Sequence, residues 1–189
     1  DSNYKTGIKV NIDNGSKLVG NNVNVKAKEI NNIESTSVGV SAGVASASGT
    51  AAITNINRNV GINITNSNIE AKNKVNIEAN TTGNVNLDVW QGSAGAAAIG
   101  AAYGEIHSFG KSLVNLSGAN LTSGFIDITN KDNLAISSKA SGLTAGLIAA
   151  GAIVSQAENN GNVEINLEGS TLTSTDDKNG KINIEAEKA

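Results

Sequence analysis

The chain has 189 residues, a net charge of −3 and no cysteine or proline, and only 3% of its residues are aromatic. Its few basic residues are scattered, which argues against a nucleic-acid-binding protein, since phosphate binding needs concentrated positive charge. The core has to come from Val, Ile, Leu and Ala, and the twenty-nine asparagines favour turns over long helices.

The strongest pattern is a repeat of about 52 residues, visible in three lanes of aliphatic residues. The first lane is carried by the segments VNI, INI, VNL and INL, which begin at Val10, Ile62, Val114 and Ile165. The second lane comprises Leu18, Ile69, Leu121 and Leu172, and the third comprises Val23, Val75, Ile126 and Ile182. Three lanes at one spacing predict a repeat protein in which each unit stacks on the one before it.

The lanes divide the chain into repeats at residues 8–59, 60–111 and 112–162, with a partial repeat at 163–189. Both ends fall inside a repeat. We therefore expect residues 1–189 to form a single β-helix segment of a longer chain, with unpaired backbone at its two ends. Such ends predict end-to-end self-association.

Within each lane, apolar and polar residues alternate, which is typical of a strand with one buried face. In the third lane, for example, Val23 and Val25 face a core, whereas Asn24 and Lys26 face water. Turn segments recur too often for helices to fit between the strands: DNGS at 13–16, LSGAN at 116–120 and DDKNG at 176–180.

Strands of about three to six residues separated by tight turns predict an all-β fold, a right-handed parallel β-helix or solenoid. A 52-residue repeat is longer than a small coil, so we expect about two coils per repeat, about eight in all, and a length of about 40 Å. Two equal coils of about 26 residues fit this spacing, and so does a compact coil of about 20 beside one with a longer arm.

Runs of small residues recur in step with the lanes: SAGVASA at Ser41, SAGAAAI at Ser93 and TAGLIAA at Thr144. A phosphate loop or hinge is needed only once, so this repetition indicates an architectural element. The alternation continues on both sides of Gly49, which favours strand-turn-strand arms built from these Gly-, Ala- and Ser-rich runs. Small side chains would let two layers approach closely, or let one strand lie flat along its neighbour.

A family resemblance rests on GSKLVGNNVNVKAKEINNIESTSVGVSAG at 15–43, with echoes in SNIEAKNKVNIEANTTGNVNL at 67–87 and STLTSTDDKNGKINIEA at 170–186. The chain resembles the repeat region of filamentous haemagglutinin-type exoproteins, including leukotoxin-family filamentous adhesins and contact-dependent inhibition stalks. The resemblance implies a virulence-associated protein, secreted or on the bacterial outer cell surface. It further implies two-partner secretion, with export through an outer-membrane partner, and it supplies no catalytic residues.

The search for chemistry predicts no catalytic residue, no metal site and no cofactor. His107 is the only histidine, and a metal site there would need Glu105 and carboxylates from other coils. Asp176, Asp177 and Lys178 cluster in a segment that we interpret as a solvated turn. We therefore expect a non-enzymatic protein.

Two aromatic residues are candidate ligand contacts: Trp90 and Tyr103, which flank the second small-residue run. Exposed rings stack on sugars or insert into a partner's pocket. The alternative is that either ring caps the interior of a coil.

The function that these features favour is a structural and adhesive repeat segment, a rigid spacer that contacts host or neighbouring-cell receptors or glycans. The alternative is the stalk of a toxin or contact-dependent inhibition protein, in which small-residue stretches such as GLTAGLIAAGAIV at 142–154 contact a target membrane. A third reading, from the precedent of β-helix lyases, is a polysaccharide-acting enzyme.

Overall fold

A computed structural model describes the backbone of residues 2–189 and the side chains of residues 6–189; Asp1 lies outside the described residues. The ten strands are β1 (Ser2–Ile12), β2 (Lys17–Ala42), β3 (Ala45–Thr65), β4 (Asn68–Ala94), β5 (Ala97–Ser117), β6 (Asn120–Ser123), β7 (Phe125–Ala145), β8 (Ile148–Glu168), β9 (Thr171–Ser174) and β10 (Lys181–Lys188).

The strands form two parallel sheets. The first sheet has the order β1-β3-β5-β8. In the second sheet β2 pairs with β4, β4 pairs with β6 and then β7, and these pair with β9 and β10 respectively. The chain alternates between the two sheets, so the fold is an all-β parallel β-helix solenoid, as the sequence predicts.

The pairing register confirms the lanes. Val10 lies beside Ile62, Ile62 beside Val114 and Val114 beside Ile165. The small-residue runs are also in register, because Ser41 lies beside Ser93 and Ser93 beside Thr144.

The expectation of two coils per repeat is wrong. Each residue pairs with the residue 51 or 52 positions later, as in Ala45 with Ala97, so one repeat makes one coil. The described strands therefore form four stacked coils, the first and last incomplete: β1–β2, β3–β4, β5–β7 and β8–β10. At about 4.8 Å per coil the stack is about 20 Å long, half the expected length.

The physical reason is strand length. The three turn segments are turns or loops as expected, but the long strands between them run for 21 to 27 residues instead of three to six. Because the two sheets face each other directly along this length, 52 residues close a single flattened coil. The last step of the third lane is 56 residues because a loop at 175–180 separates β9 from β10.

The interior between the sheets has two apolar clusters. The larger contains the three lanes and lies beside the turns that join the first sheet to the second, with fully buried Ile62, Ile77 and Leu121 among its members. The smaller lies farther along the strands and is built from Ile56, Val85, Leu87, Val89, Ala102, Ile106 and Leu134. We call the part of the solenoid around the larger cluster the body.

Candidate contact surfaces

Beyond the body, the two sheets continue as a flattened extension that we call the arm, comprising residues 33–54, 85–106 and 136–157. It ends in three stacked turns, at 43–44, 95–96 and 146–147. The arm is the strand-turn-strand element that the small-residue runs predict, although its first turn lies at Gly43 and Val44, not at Gly49, which is inside β3.

Small residues let the two sheets approach closely in the arm. A Cβ atom on Gly100 of β5 would collide with the side-chain amide of Gln91 on the facing strand β4. Gln91 is buried and its Nε2 donates to Thr144 Oγ1 at 3.0 Å. The repeated Gly, Ala and Ser residues are therefore a packing device.

The surface of the arm is apolar and nearly uncharged. Residues 35–57, 89–104 and 140–157 contain no Asp, Glu, Lys or Arg. Ten large apolar side chains of the arm are exposed: Val38, Val40, Val44, Trp90, Ile99, Leu143, Leu147, Ile148, Ile153 and Val154. Exposed apolar surface on this scale indicates a contact surface.

Trp90 lies on the outer face of the second sheet, 39% exposed. Its ring lies over Gly92, where a Cβ atom would meet the indole at 2.7 Å. The neighbouring coils contribute Val38 and Val40 on one side and Leu143 on the other. This set, which we call the tryptophan face, is an open apolar patch with a flat ring.

Tyr103 lies on the outer face of the first sheet, since the adjacent Ala102 faces the interior. Trp90 and Tyr103 thus face outward on opposite sides of the arm. Neither ring caps the interior of a coil, and the structure does not bring the two rings together into one site. Their role as ligand contacts stays a prediction for two separate faces.

Tyr103 belongs to a polar cluster with Glu105, His107 and Glu158. Tyr103 Oη donates to Glu105 Oε2 at 2.6 Å, and this bond raises the pKa of the phenol above its ordinary value. His107 Nε2 lies 2.8 Å from Glu105 Oε1, and His107 Nδ1 lies 3.5 Å from Glu158 Oε2. A bond to Asn160, followed by that to His107, holds the pKa of Glu158 below its usual value.

Sequence reasoning placed Glu105 beside His107 correctly but missed Glu158, which the coil register brings from 51 residues away. Within residues 6–189, no group of three or more His, Cys, Asp or Glu side chains is arranged to hold a metal ion. The cluster can accept and donate hydrogen bonds to a polar partner at the border between the apolar arm and the body.

The acidic segment at 176–180 is the solvated turn that the sequence predicts. Asp176 Oδ1 accepts hydrogen bonds from the backbone N–H groups of Lys178 and Asn179, both at 3.0 Å. These two bonds lower the pKa of the Asp176 carboxyl. Its charge is used to order the turn.

A polar layer between the two apolar clusters was missed from the sequence. Arg58 is 3% exposed; its guanidinium lies 2.5 Å from Asp132 Oδ2 and also donates to Ser108 and Asn159. We call the buried polar side chains at this level the inner polar layer: Glu29, Arg58, Thr81, Ser108, Ser112, Asn130 and Asp132. The available signal was their parity, since Arg58 alternates with the inward Ile56 and Val60.

These features define the chain as a parallel β-helix repeat protein with a polar-banded interior and an apolar arm. Comparison with known proteins gives no match, whether to a family model, a curated protein or a solved structure. The part of the chain that the structure describes contains no helix long and apolar enough to span a membrane.

Proposed function

We propose that this chain is a structural and adhesive repeat segment of a bacterial secreted or surface-displayed filament. The observation that carries the proposal is the arm, which presents the same uncharged, apolar surface from each successive coil while the body supplies a continuous stack. A contact repeated on every coil gives strength through many weak contacts. The resemblance to filamentous haemagglutinin repeats supports display on the outer cell surface after export through an outer-membrane partner.

Rigidity supports the spacer part of the proposal. Adjacent coils are joined by parallel pairing over the full strand length and by ion pairs such as Lys26 with Glu78, at 2.7 Å, and Lys74 with Asp127, at 2.8 Å. On the outer surface, Asn63 donates to Asn11 across the coils at 3.0 Å, as stacked asparagines do.

The test is a glycan-array and cultured-cell binding assay with the purified chain and Trp90→Ala. We expect saturable binding that Trp90→Ala weakens at least tenfold, because a flat exposed ring is the usual anchor of such contacts. Phe109→Ala is the matched control, because it removes a similarly exposed ring, 40% against 39%, outside the arm. Binding that both variants lose equally, or no binding at all, contradicts an adhesive tryptophan face.

A second function, membrane contact by the arm, is favoured by the turns at its tip. Val44 and Leu147 are 86% and 93% exposed and lie in stacked turns with no charged neighbour in the adjoining runs. Co-sedimentation with neutral phospholipid vesicles tests it. Val44→Ser with Leu147→Ser would abolish membrane binding, whereas Val19→Ser, an exposed position on the body, would leave it unchanged; vesicle binding unaffected by the tip variant would argue against this function.

A further inference from the structure

The two ends of the described stack present unpaired strand edges. Among residues 2–189, β1 and β2 are paired on one side only, and so are β8, β9 and β10. Inward aliphatic side chains are left uncovered at the second end: Ile182 and Ile184 are 40% and 46% exposed, whereas Ile126 and Ile128, one coil below, are fully buried. The second end therefore offers apolar surface that another coil would bury.

Continuing the register of the stack defines which residues another copy would place there. Val23 pairs with Val75, Val75 with Ile126 and Ile126 with Ile182. A further coil in the same lane places Val23 of a second copy beside Ile182. Leu18 then follows Leu172 and Val25 follows Ile184, so the aliphatic lanes continue without a mismatch.

The charged residues next to this lane are complementary in the same register. Residues 26–29 read KAKE and residues 185–188 read EAEK. Lys26 of the second copy would lie beside Glu185, Lys28 beside Glu187 and Glu29 beside Lys188. All three contacts join opposite charges.

The stack already uses these positions for ion pairs between coils. Lys26 pairs with Glu78, and Lys131 pairs with both Glu185 and Glu187 at 2.9 Å. On the inward side, the charges alternate from coil to coil: Glu29 in the first, Arg58 in the second, Asp132 in the third and Lys188 in the fourth. Glu29 of a second copy would continue this alternation.

We infer that the two ends bind each other, so that copies of this chain associate head to tail in the register that sets residues 26–29 on residues 185–188. Other registers are disfavoured. A shift of one residue turns the aliphatic lanes outward, and a shift of two residues in either direction keeps one opposite-charge contact in place of three. The inference does not depend on the adhesive role, because a pure spacer would associate in the same way.

The test is sedimentation equilibrium over a range of concentrations on the 189-residue chain and two exposed charge reversals, Glu185→Lys with Glu187→Lys at one end and Lys26→Glu with Lys28→Glu at the other. We expect the wild type to associate, and to do so at least tenfold more weakly in high salt than in low salt because exposed charges are screened. Each reversal should weaken self-association at least tenfold.

Mixing the two reversed variants should restore association, because each altered end then meets an end of opposite charge. The matched control is Glu70→Lys with Asp88→Lys, which makes the same charge change on β4, a strand paired on both sides. Circular dichroism checks that every variant is folded, and the two reversals act at opposite ends of the chain, so one informative variant is enough.

A wild-type chain that stays monomeric at high concentration would overturn the inference. So would association that both reversals leave unchanged, or a mixture that fails to restore it. Association insensitive to the reversals but lost in Val44→Ser with Leu147→Ser would assign the contact to the arm instead. Loss of glycan or cell binding with unchanged sedimentation would bear on the proposed function only.

Discussion

The guanidinium of Arg58 is the most consequential single group in the interior. It is buried with Asp132 between two apolar clusters, and one carboxylate oxygen of Asp132 has no hydrogen-bond partner among the described residues. We expect Arg58→Met to destabilise the fold by about 3–5 kcal/mol, because it strands a buried negative charge. Adding Asp132→Leu should recover most of that loss, since an apolar pair of similar size packs without desolvating charge.

Chemical denaturation of the single and double variants measures this. A double variant as unstable as Arg58→Met would mean that the layer's worth lies in its wider network of Ser108 and Asn159, not in the charge pair.

Gly110 lies beside Arg58 in a conformation that side chains rarely adopt, with φ of +131°. A Cβ atom there would collide with the carbonyl oxygen of Arg58. We expect Gly110→Ala to cost at least about 1–3 kcal/mol through backbone strain. Gly49→Ala, where nothing lies within 4 Å, should be neutral or mildly stabilising. Thermal denaturation of both variants decides, and equal melting temperatures would contradict the strain.

Which way a side chain points was predictable from the sequence, but which side chains meet was not. The parity of Trp90 relative to Leu87 and Val89 already places its ring outside. The contact between His107 and Glu158 depends on a step of 51 residues between coils, and that step acquires structural meaning only when the coil is known to close after one repeat.

At the scale of the strands, ion pairs tie each coil to the next. A hydrogen bond from Lys26 lowers the pKa of Glu78, and one from Lys111 lowers that of Glu164. At Asp127 burial acts to raise the pKa, but hydrogen bonds from Lys74 and Asn183 outweigh it and leave the pKa lowered.

A carboxyl group whose pKa is lower in the folded chain stabilises the fold above its unfolded pKa, and that stability is lost as the pH falls through the folded value. The ordinary values here are 4.5 for Glu and 3.8 for Asp. We therefore expect the melting temperature to be steady near neutral pH and to fall below about pH 5.

Replacing all three carboxylates, with Glu78→Gln, Asp127→Asn and Glu164→Gln, should flatten that acid-side slope while lowering the melting temperature at neutral pH. Melting curves followed by circular dichroism from neutral to acid pH measure both effects. An unchanged slope in the triple variant would show that other carboxylates dominate acid unfolding.

The number of coils is the part of the fold that the sequence left undetermined. One wide coil and two small coils give the same period, and they differ only in how long each strand continues. The inner polar layer and the small-residue runs interrupt the aliphatic pattern, so residues such as Asn31 and Gly83 resemble breaks in a strand. In the structure they lie within β2 and β4, because the facing sheet supplies partners or space there.

At the scale of the whole molecule, stability should vary along the stack, because in a solenoid each coil is held only by its neighbours. Strands β4 and β5 are paired along both edges, whereas β1, β2, β8 and β10 are paired along one. Hydrogen exchange followed by mass spectrometry should therefore find the slowest amides in β4 and β5 and progressively faster exchange toward both ends. Head-to-tail association adds a specific expectation: raising the protein concentration should slow exchange in residues 17–29 and 181–188 together, while the arm tips at 43–44 and 146–147 stay fast. Protection that rises first at the tips would place the contact on the arm, and uniform exchange along the chain would mean that the four coils unfold as one cooperative unit.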